Sequence, residues 1–261
     1  ERWHIWHVGS RPDPTKPRCR LGASTVCNWL NQAGYRLEGQ VKDLYTGIPA
    51  SGQLGADGLW ARLRGGTVRV LLMLRDNVTG LLWPPVVAAG EEAAAAWAAL
   101  FAQAQAAGLV LEDIRAIVSD GAQGLLSYLR STLAWVYQQR CIFHIWRNLS
   151  GQLVHQAGRA AQALQGQAAA HARSQVRREL AALVHGVVDA HDPERAEAAL
   201  AQLKAHPYGR GLWKILNTRF IELLTHLMDE HQGVGRVTPE WMWRDFRLRL
   251  GRGRNAGSEE R

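Results

Sequence analysis

The sequence is poor in cysteine and has no long apolar run, and both shortages exclude classes of protein. Only three cysteines, Cys19, Cys27 and Cys141, occur in 261 residues, and none of them forms a CxxC pair. An odd number without that spacing indicates neither a disulfide framework nor a zinc ribbon. No stretch approaches the roughly 18 apolar residues of a membrane span, and the first residues contain no signal-peptide core. We therefore expect a cytosolic protein with reduced thiols and no membrane partner.

Acidic residues are in the minority, with 23 Asp and Glu against 31 Lys and Arg, and the net charge is +8. Such a basic balance favours a polyanionic partner, of which nucleic acid is the commonest. The segment WMWRDFRLRLGRGR concentrates this charge, and Arg244, Arg247 and Arg249 are candidates for phosphate contacts. A solvated basic face is the alternative interpretation of this segment. Because the chain starts without Met and stops in a charged tail, we expect a piece of a longer protein.

The stretch AIVSDGAQG around Asp120 predicts the centre of a functional site. Ile114–Val118 is short, apolar and rich in β-branched residues, so we expect a buried strand that delivers Asp120 at its C-terminal end. Active sites of α/β folds collect at such strand ends. The alternative is that Asp120 only N-caps a helix that begins near Ala122. A second apolar stretch that reaches a carboxylate, at Asp57, favours the site.

Hydrophobic periodicity and turn residues predict the remaining elements of the first half of the chain. A short amphipathic helix over residues 22–34 resembles the recognition helix of a helix-turn-helix, with an ordinary surface helix as the alternative. Three antiparallel strands are predicted over residues 56–90, with turns at Gly65-Gly66 and Asp76–Gly80. Helices are predicted over residues 91–108 and 125–133. A strand over residues 135–140 then leads to a helix that carries Cys141, His144 and Asn148.

Residues from about 150 to 211 have a different texture, rich in Ala, Gln, Arg and His. Apolar residues recur there at helical spacing, and Asp192 with Pro193 predicts the start of one helix. No alternating run competes with this pattern, so we predict helices only and no strand that joins the sheet.

Eleven tryptophans are too many for all of them to contact a ligand, and most are expected in the core. The sequence places Trp60, Trp83, Trp97 and Trp135 on apolar faces, while Trp146, Trp213, Trp241 and Trp243 could stack on an unpaired base.

The order of these motifs resembles the DDE transposases of the Mutator type, which include many bacterial insertion-sequence transposases. The matching residues are Asp57-Gly58 in ADGLWARL, Asp120-Gly121 in VSDGAQGL, and Cys141 and His144 followed by Arg147-Asn148 in QQRCIFHIWRNL. The resemblance covers residues 55 to 149. Beyond them it becomes weaker.

The resemblance implies an α/β fold of the RNase H-like type, with a mixed five-stranded sheet, flanking helices and an all-α insertion before the last catalytic helix. It divides the chain into a partial N-terminal helical DNA-binding region and linker (1–50), the first part of the catalytic domain (51–149), the helical insertion (150–211), and a final catalytic helix with a basic tail (212–261). It also implies a third acid after the insertion. Glu222 is preferred to Glu230 and Glu240 because it follows Asn217, although four residues separate the pair where the family has two.

The implied activity is metal-dependent DNA strand cleavage and strand transfer at transposon ends, with two Mg²⁺ or Mn²⁺ ions. Asp57 would bridge both ions, and Asp120 and Glu222 would hold one each. His144 would lie beside the acids or contact a DNA phosphate, with a satisfied half-buried histidine as the alternative, while Cys141 packs. A zinc site at Cys141 and His144 lacks two further ligands at suitable spacing.

The implied partners are the terminal inverted repeats of a transposon and its target DNA. Arg147, Asn148 and the C-terminal arginines Arg244, Arg247 and Arg249 are the candidate DNA contacts. We expect a homodimer or higher oligomer on DNA, and a cytoplasmic bacterial protein associated with the nucleoid. The alternatives are an inactive, transposase-derived DNA-binding protein and another kind of RNase H-like nuclease. The helical insertion and the C-x-x-H motif disfavour the nuclease.

Overall fold

The computed structural model of the chain describes residue 32, residues 49–62 and residues 67–238. The predicted helix over residues 22–34, apart from Gln32, and the Gly65-Gly66 turn lie outside the described residues, and so do Glu240, Trp241, Trp243, Arg244, Arg247 and Arg249. The chain divides into two compact units, residues 1–44 with residue 261, and residues 45–260. All the strands and helices given below belong to the second unit.

Within the described residues, five strands form one mixed sheet in the order β3-β2-β1-β4-β5. The strands are β1 (Gln53–Arg62), β2 (Val68–Asp76), β3 (Val86–Ala89), β4 (Ala116–Ser119) and β5 (Tyr137–Arg140). β1, β2 and β3 pair antiparallel, as the turn residues predict, whereas β1, β4 and β5 pair parallel. The predicted mixed five-stranded sheet of an α/β fold is therefore confirmed, and it is consistent with the RNase H-like type.

The turn between β2 and β3 depends on Asp76, as its Asp-Asn sequence predicts. One carboxylate oxygen accepts hydrogen bonds from the backbone N–H groups of Val78 (2.9 Å) and Thr79 (2.8 Å), and the other accepts one from the N–H of Ser51 (2.6 Å). Burial alone would raise the pKa of Asp76, but these hydrogen bonds outweigh it and lower that pKa below its usual value. Asp76 thus stays ionised and fixes the meander.

The helices alternate with the parallel strands and then follow one another. They are α1 (Ala94–Ala106), α2 (Gln123–Thr132), α3 (Ile142–Ala160), α4 (Gly166–Val188), α5 (Pro193–Ala205), α6 (Arg210–Thr218) and α7 (Phe220–Leu224), with 3-10 turns at Leu111–Asp113, Thr225–Leu227 and Asp229–Val234. Helix α5 starts as predicted, since the Asp192 side chain accepts a hydrogen bond from the N–H of Arg195 (2.8 Å). In the described chain, none of these helices is long and apolar enough to cross a lipid bilayer.

Apolar side chains form one core under the sheet and a second core among the later helices. The first contains Leu54, Val70 and Leu72 from the strands together with Trp97 and Phe101 of α1 and Leu125 and Leu129 of α2. The second contains Leu149, Leu180, Val184, Leu203, Leu212 and Leu216 from α3, α4, α5 and α6. Residues 150–211 accordingly form helices and turns, and they add no strand to the described sheet. The proposed domain boundaries remain a prediction.

The apolar pattern over residues 212–229 predicts one helix packed against the sheet, and this prediction is wrong. Helix α6 ends at Thr218, and α7 begins only after Arg219. The Thr218 hydroxyl donates to the carbonyl of Lys214 (2.7 Å), and Asn217 and Thr218 are both poor helix formers. The apolar residues of both pieces pack on the helical core, so the segment reaches β5 through hydrogen bonds instead.

Two of the tryptophans predicted in the core lie at the surface. Trp83 and Trp97 are buried, but Trp60 is 53% exposed and Trp135 is 51% exposed. The indole N–H of Trp60 donates to Glu92 (2.8 Å) and that of Trp135 donates to the carbonyl of Ile114 (3.2 Å). The indole N–H gives each exposed ring a polar partner at the surface, which apolar spacing in the sequence does not reveal.

Close packing at the start of α2 gives a first prediction. A Cβ at Gly124 would overlap the backbone oxygen of Glu92, whereas nothing lies within 4 Å of a Cβ at Gly151 in the middle of α3. We expect Gly124→Ala to lower the free energy of unfolding by about 1–3 kcal/mol. The matched change Gly151→Ala should raise it by about 0.5–1 kcal/mol, because alanine is the better helix former. Urea unfolding of both variants measures the difference, and equal effects would contradict it.

Candidate active site

Asp57 and Asp120 lie on neighbouring parallel strands. β1 pairs with β4 so that Gln53 faces Ala116 and Gly55 faces Val118. Continuing this register by two residues places Asp57, inside β1, level with Asp120, which directly follows β4. The two carboxylates therefore arise from one level of the sheet, at the C-terminal end of β4, although 63 positions separate them (120 − 57).

Asp57 is buried, with 3% of its surface exposed. Side chains alternate along a strand, so Asp57 lies on the face away from Leu54 and Ala56 and beside its β2 neighbour Met73. One of its oxygens accepts a hydrogen bond from the N–H of Gly58 (3.0 Å). A carboxylate at this depth is unfavourable unless hydrogen bonds or a cation compensate it.

Asp120 is half-buried, and its role in the local backbone differs from the N-cap alternative. The N-cap residue of α2 is Ala122, which has no side-chain cap. Asp120 Oδ1 instead accepts a hydrogen bond from the N–H of Ala122 (2.8 Å), two positions on, as in an Asx turn. This turn orients the carboxylate at the end of β4.

Glu92 is a site residue that sequence reasoning missed. A Cβ at Gly58 would overlap the carboxylate of Glu92, so the glycine of the Asp57-Gly58 pair makes room for this side chain. Burial, followed by the negative charge of Asp120, raises the pKa of Glu92, and the hydrogen bond from Trp60 opposes this. The only signal in the sequence is its position just before α1, where an acid also suits a helix start.

Arg140 is a second residue that sequence reasoning missed. A Cβ at Gly121 would overlap the Arg140 guanidinium, so the glycine of the Asp120-Gly121 pair also makes room for a charged side chain. Gly121 has a φ of +82°, which favours glycine independently. Burial lowers the pKa of Arg140, while Glu222 and Asp120, both nearby, favour its charged form. The sequence indicates a role for Arg140 only through its position immediately before Cys141.

Glu222, the predicted third acid, is bound to arginines. Arg219 Nη1 donates a hydrogen bond to Glu222 Oε1 (2.8 Å), and Arg140 Nε lies 3.9 Å from Glu222 Oε2. Residue 222 also lines a cavity of about 410 Å³ between α2, β5 and α7, together with Gln123, Arg130, Gln138 and Arg219. Its two arginines suit a phosphate group, while the rest of the lining includes the Glu222 carboxylate and the side chains of Leu126, Val136, Tyr137 and Ile221.

Comparison with known proteins identifies the family. The model of the transposases of the Mutator family matches residues 85–224, which is more than half of the chain. The chain belongs to the Mutator family of transposases. The resemblance given by the sequence motifs is thus confirmed at the level of the family, and no curated protein matches the chain. The match includes Asp120, Cys141, His144 and Glu222, whereas Asp57 precedes it.

The Cys141 and His144 of this transposase are both buried at the start of α3. Cys141 packs against Ala116, Val118 and Val234, and its sulfur accepts a hydrogen bond from the N–H of Thr238 (3.3 Å). The His144 ring is edge-on to that of Phe143, with 5.4 Å between centroids. Arg147 and Asn148 lie on the exposed side of the same helix, where a polyanion could reach them.

The donor chemistry of the transposase acids suits Mg²⁺, but the structure does not assemble the predicted set of ligands. Carboxylate oxygens are the ligands that this hard cation prefers, and Asp57 and Asp120 fit that requirement. Nevertheless, residues 49–62 and 67–238 contain no group of three or more His, Cys, Asp or Glu placed to hold a metal ion. Glu222 faces Arg219 and Arg140 instead of joining the two aspartates.

The raised pKa of Glu92 gives a prediction about stability. Because the folded state raises this pKa above the usual 4.5, ionised Glu92 opposes folding once the pH rises above that value. Glu92→Gln removes the titration and keeps an acceptor for Trp60. We expect the variant to gain stability, relative to the unmodified protein, as the pH rises above 4.5. Urea unfolding at several pH values measures the difference, and a difference that does not change with pH would contradict the prediction.

Proposed function

We propose that this protein is a DDE-type transposase that cleaves DNA at transposon ends and transfers the strand in a metal-dependent reaction. The observation that supports it most is the β1–β4 register, which aligns Asp57 with Asp120 in a member of the Mutator family. Two carboxylates on adjacent strands are the beginning of a site for Mg²⁺ or Mn²⁺. Such ions, when bound, would stabilise the attacking and leaving oxygens of an in-line displacement at phosphorus.

The residues that we assign to this site are Asp57, Asp120 and Glu222 as metal ligands. Asp57 lies in β1 and Asp120 directly follows β4, so the pairing of these two strands sets their common level. Glu222 belongs to a short helix and is held by Arg219, so it would need to turn from its arginines to join them. We assign His144 to the same site as a group that holds a proton or contacts a phosphate.

DNA is the partner that this assignment requires, in the form of terminal inverted repeats and target sites. Exposed Arg147 and Asn148 on α3 and the arginine-lined cavity beside Glu222 are the described surfaces that suit a phosphate backbone. We add Arg244, Arg247 and Arg249 from the sequence alone. A dimer or higher oligomer would bring two transposon ends together.

The aspartates give the main test. In the full-length transposase, Asp57→Asn and Asp120→Asn should each reduce cleavage of a duplex with the element's own terminal repeat by at least about a thousandfold in Mg²⁺, because each removes a metal ligand. Binding of the same duplex, measured by gel shift without divalent ions, should stay within about threefold, since the phosphate contacts are untouched.

The exposed Asp113, outside the site, provides the matched control. Asp113→Asn should cleave like the unmodified protein. If the unmodified protein binds the repeat but cleaves no better than Asp57→Asn, the transposase assignment fails in favour of an inactive DNA-binding relative.

The third acid is tested separately. We expect Glu222→Gln to abolish cleavage while DNA binding persists, because glutamine cannot replace a metal-bound carboxylate. Glu230→Gln, in the 3-10 turn that follows, and Glu240→Gln should keep cleavage. Loss of cleavage in Glu240→Gln with activity retained in Glu222→Gln would transfer the third position to Glu240.

A further inference from the structure

Arg140 occupies the space between the second aspartate and the third acid. Its guanidinium packs directly on Gly121, the neighbour of Asp120, and its Nε lies 3.9 Å from Glu222 Oε2. The side chain is only 11% exposed. A permanent positive charge therefore lies inside the site, between two carboxylates that are assigned to a metal ion.

Two hydrogen-bond donors of Arg140 have no acceptor among the described residues. Its Nε and Nη1 are buried and find no acceptor among the described residues, and Glu222 Oε2, which faces them, is buried without a donor. At 3.9 Å the pair attracts by charge but forms no hydrogen bond. The opposite charges of this pair attract each other, but no hydrogen bond fixes either group. Both groups can therefore exchange partners.

Arg219 holds Glu222 differently. It forms the direct 2.8 Å hydrogen bond, it comes three residues earlier on the same segment, and its side chain is 35% exposed. Solvent screens such a pair in part, although the charge of Arg219 still lowers the pKa of Arg140. Arg140, which belongs to the sheet and is buried, is the arginine whose charge acts on Asp120 and Glu222 together.

We propose that Arg140 is a positioning residue, an internal counter-ion that holds Glu222 and competes with a divalent cation for Glu222 and Asp120. The inference rests on the proposed function, because that function makes the two acids metal ligands. It accounts for the absence of a three-residue metal group in the described chain, since the guanidinium already neutralises the third acid. A cation engages Glu222 only as this side chain turns from Arg219 and Arg140.

The test is the affinity of the full-length protein for Mn²⁺, measured by electron paramagnetic resonance without DNA. Arg140→Gln removes the competing charge and should bind Mn²⁺ about tenfold or more tightly than the unmodified protein. Arg140→Lys keeps the charge and should remain near the unmodified affinity. Arg115→Gln is the matched control, because this exposed arginine precedes β4, at the end of the strand away from Asp120, and it should change nothing.

Two further variants test whether the gain in Mn²⁺ affinity depends on Glu222 and whether misfolding explains the result. In the double variant Arg140→Gln with Glu222→Gln, the gain in affinity should disappear. Arg140→Met provides a second neutral side chain suited to a buried site, for use if circular dichroism shows that Arg140→Gln is unfolded. Unchanged or weaker Mn²⁺ binding in a folded neutral variant overturns the inference, as does an equal gain in Arg140→Lys.

The two proposals fail in distinguishable ways. If the neutral variants bind Mn²⁺ no tighter while the unmodified protein cleaves DNA and Asp57→Asn does not, only the role of Arg140 is wrong. If the neutral variants bind tighter but no form cleaves, the counter-ion role stands and the transposase reaction is wrong. If no form binds Mn²⁺, both are overturned.

Discussion

The parallel pairing of β1 with β4 is the constraint on which the site depends. β1 is the central strand, antiparallel to β2 and parallel to β4, so its position is fixed from both sides. A shift of one residue in this register would turn Asp57 to the opposite face and place Leu54 and Ala56 outside their core. The apolar side chains that stabilise the sheet therefore also determine where the carboxylates lie.

Three acids and one arginine lie around this frame. Glu92 lies against Gly58, Asp120 follows β4, Arg140 lies against Gly121, and Glu222 faces Arg140. Burial and the charge of Asp120 raise the pKa of Glu92, Glu222 faces Arg140, and Arg140 links the sheet to the segment after the helices. The site is thus a network of partly buried charges, in which the replacement of one member is expected to affect the others.

Local patterns in the sequence predicted the parts of this arrangement that are local in the chain. The strand before Asp120, the Asp76 turn and the Asp192 cap each depend on a few consecutive residues, and all three are present. Glu92 and Arg140 could not be predicted in this way, because their roles arise from contacts with glycines 34 and 19 positions away (92 − 58 and 140 − 121). The break at Arg219 does have a local signal in Asn217 and Thr218, which are poor helix formers, but the apolar spacing that continues across it predicts an unbroken helix.

The glycines of the two Asp-Gly pairs also have a consequence for evolution. One particular side chain occupies the space that a Cβ would need at each glycine. This side chain is Glu92 at Gly58 and Arg140 at Gly121. A larger residue at Gly58 would be tolerated only with a shorter partner at position 92. At Gly121 the φ of +82° also favours glycine, so this position should stay glycine. Across related sequences, positions 58 and 92 should therefore vary together, although they are distant in the chain.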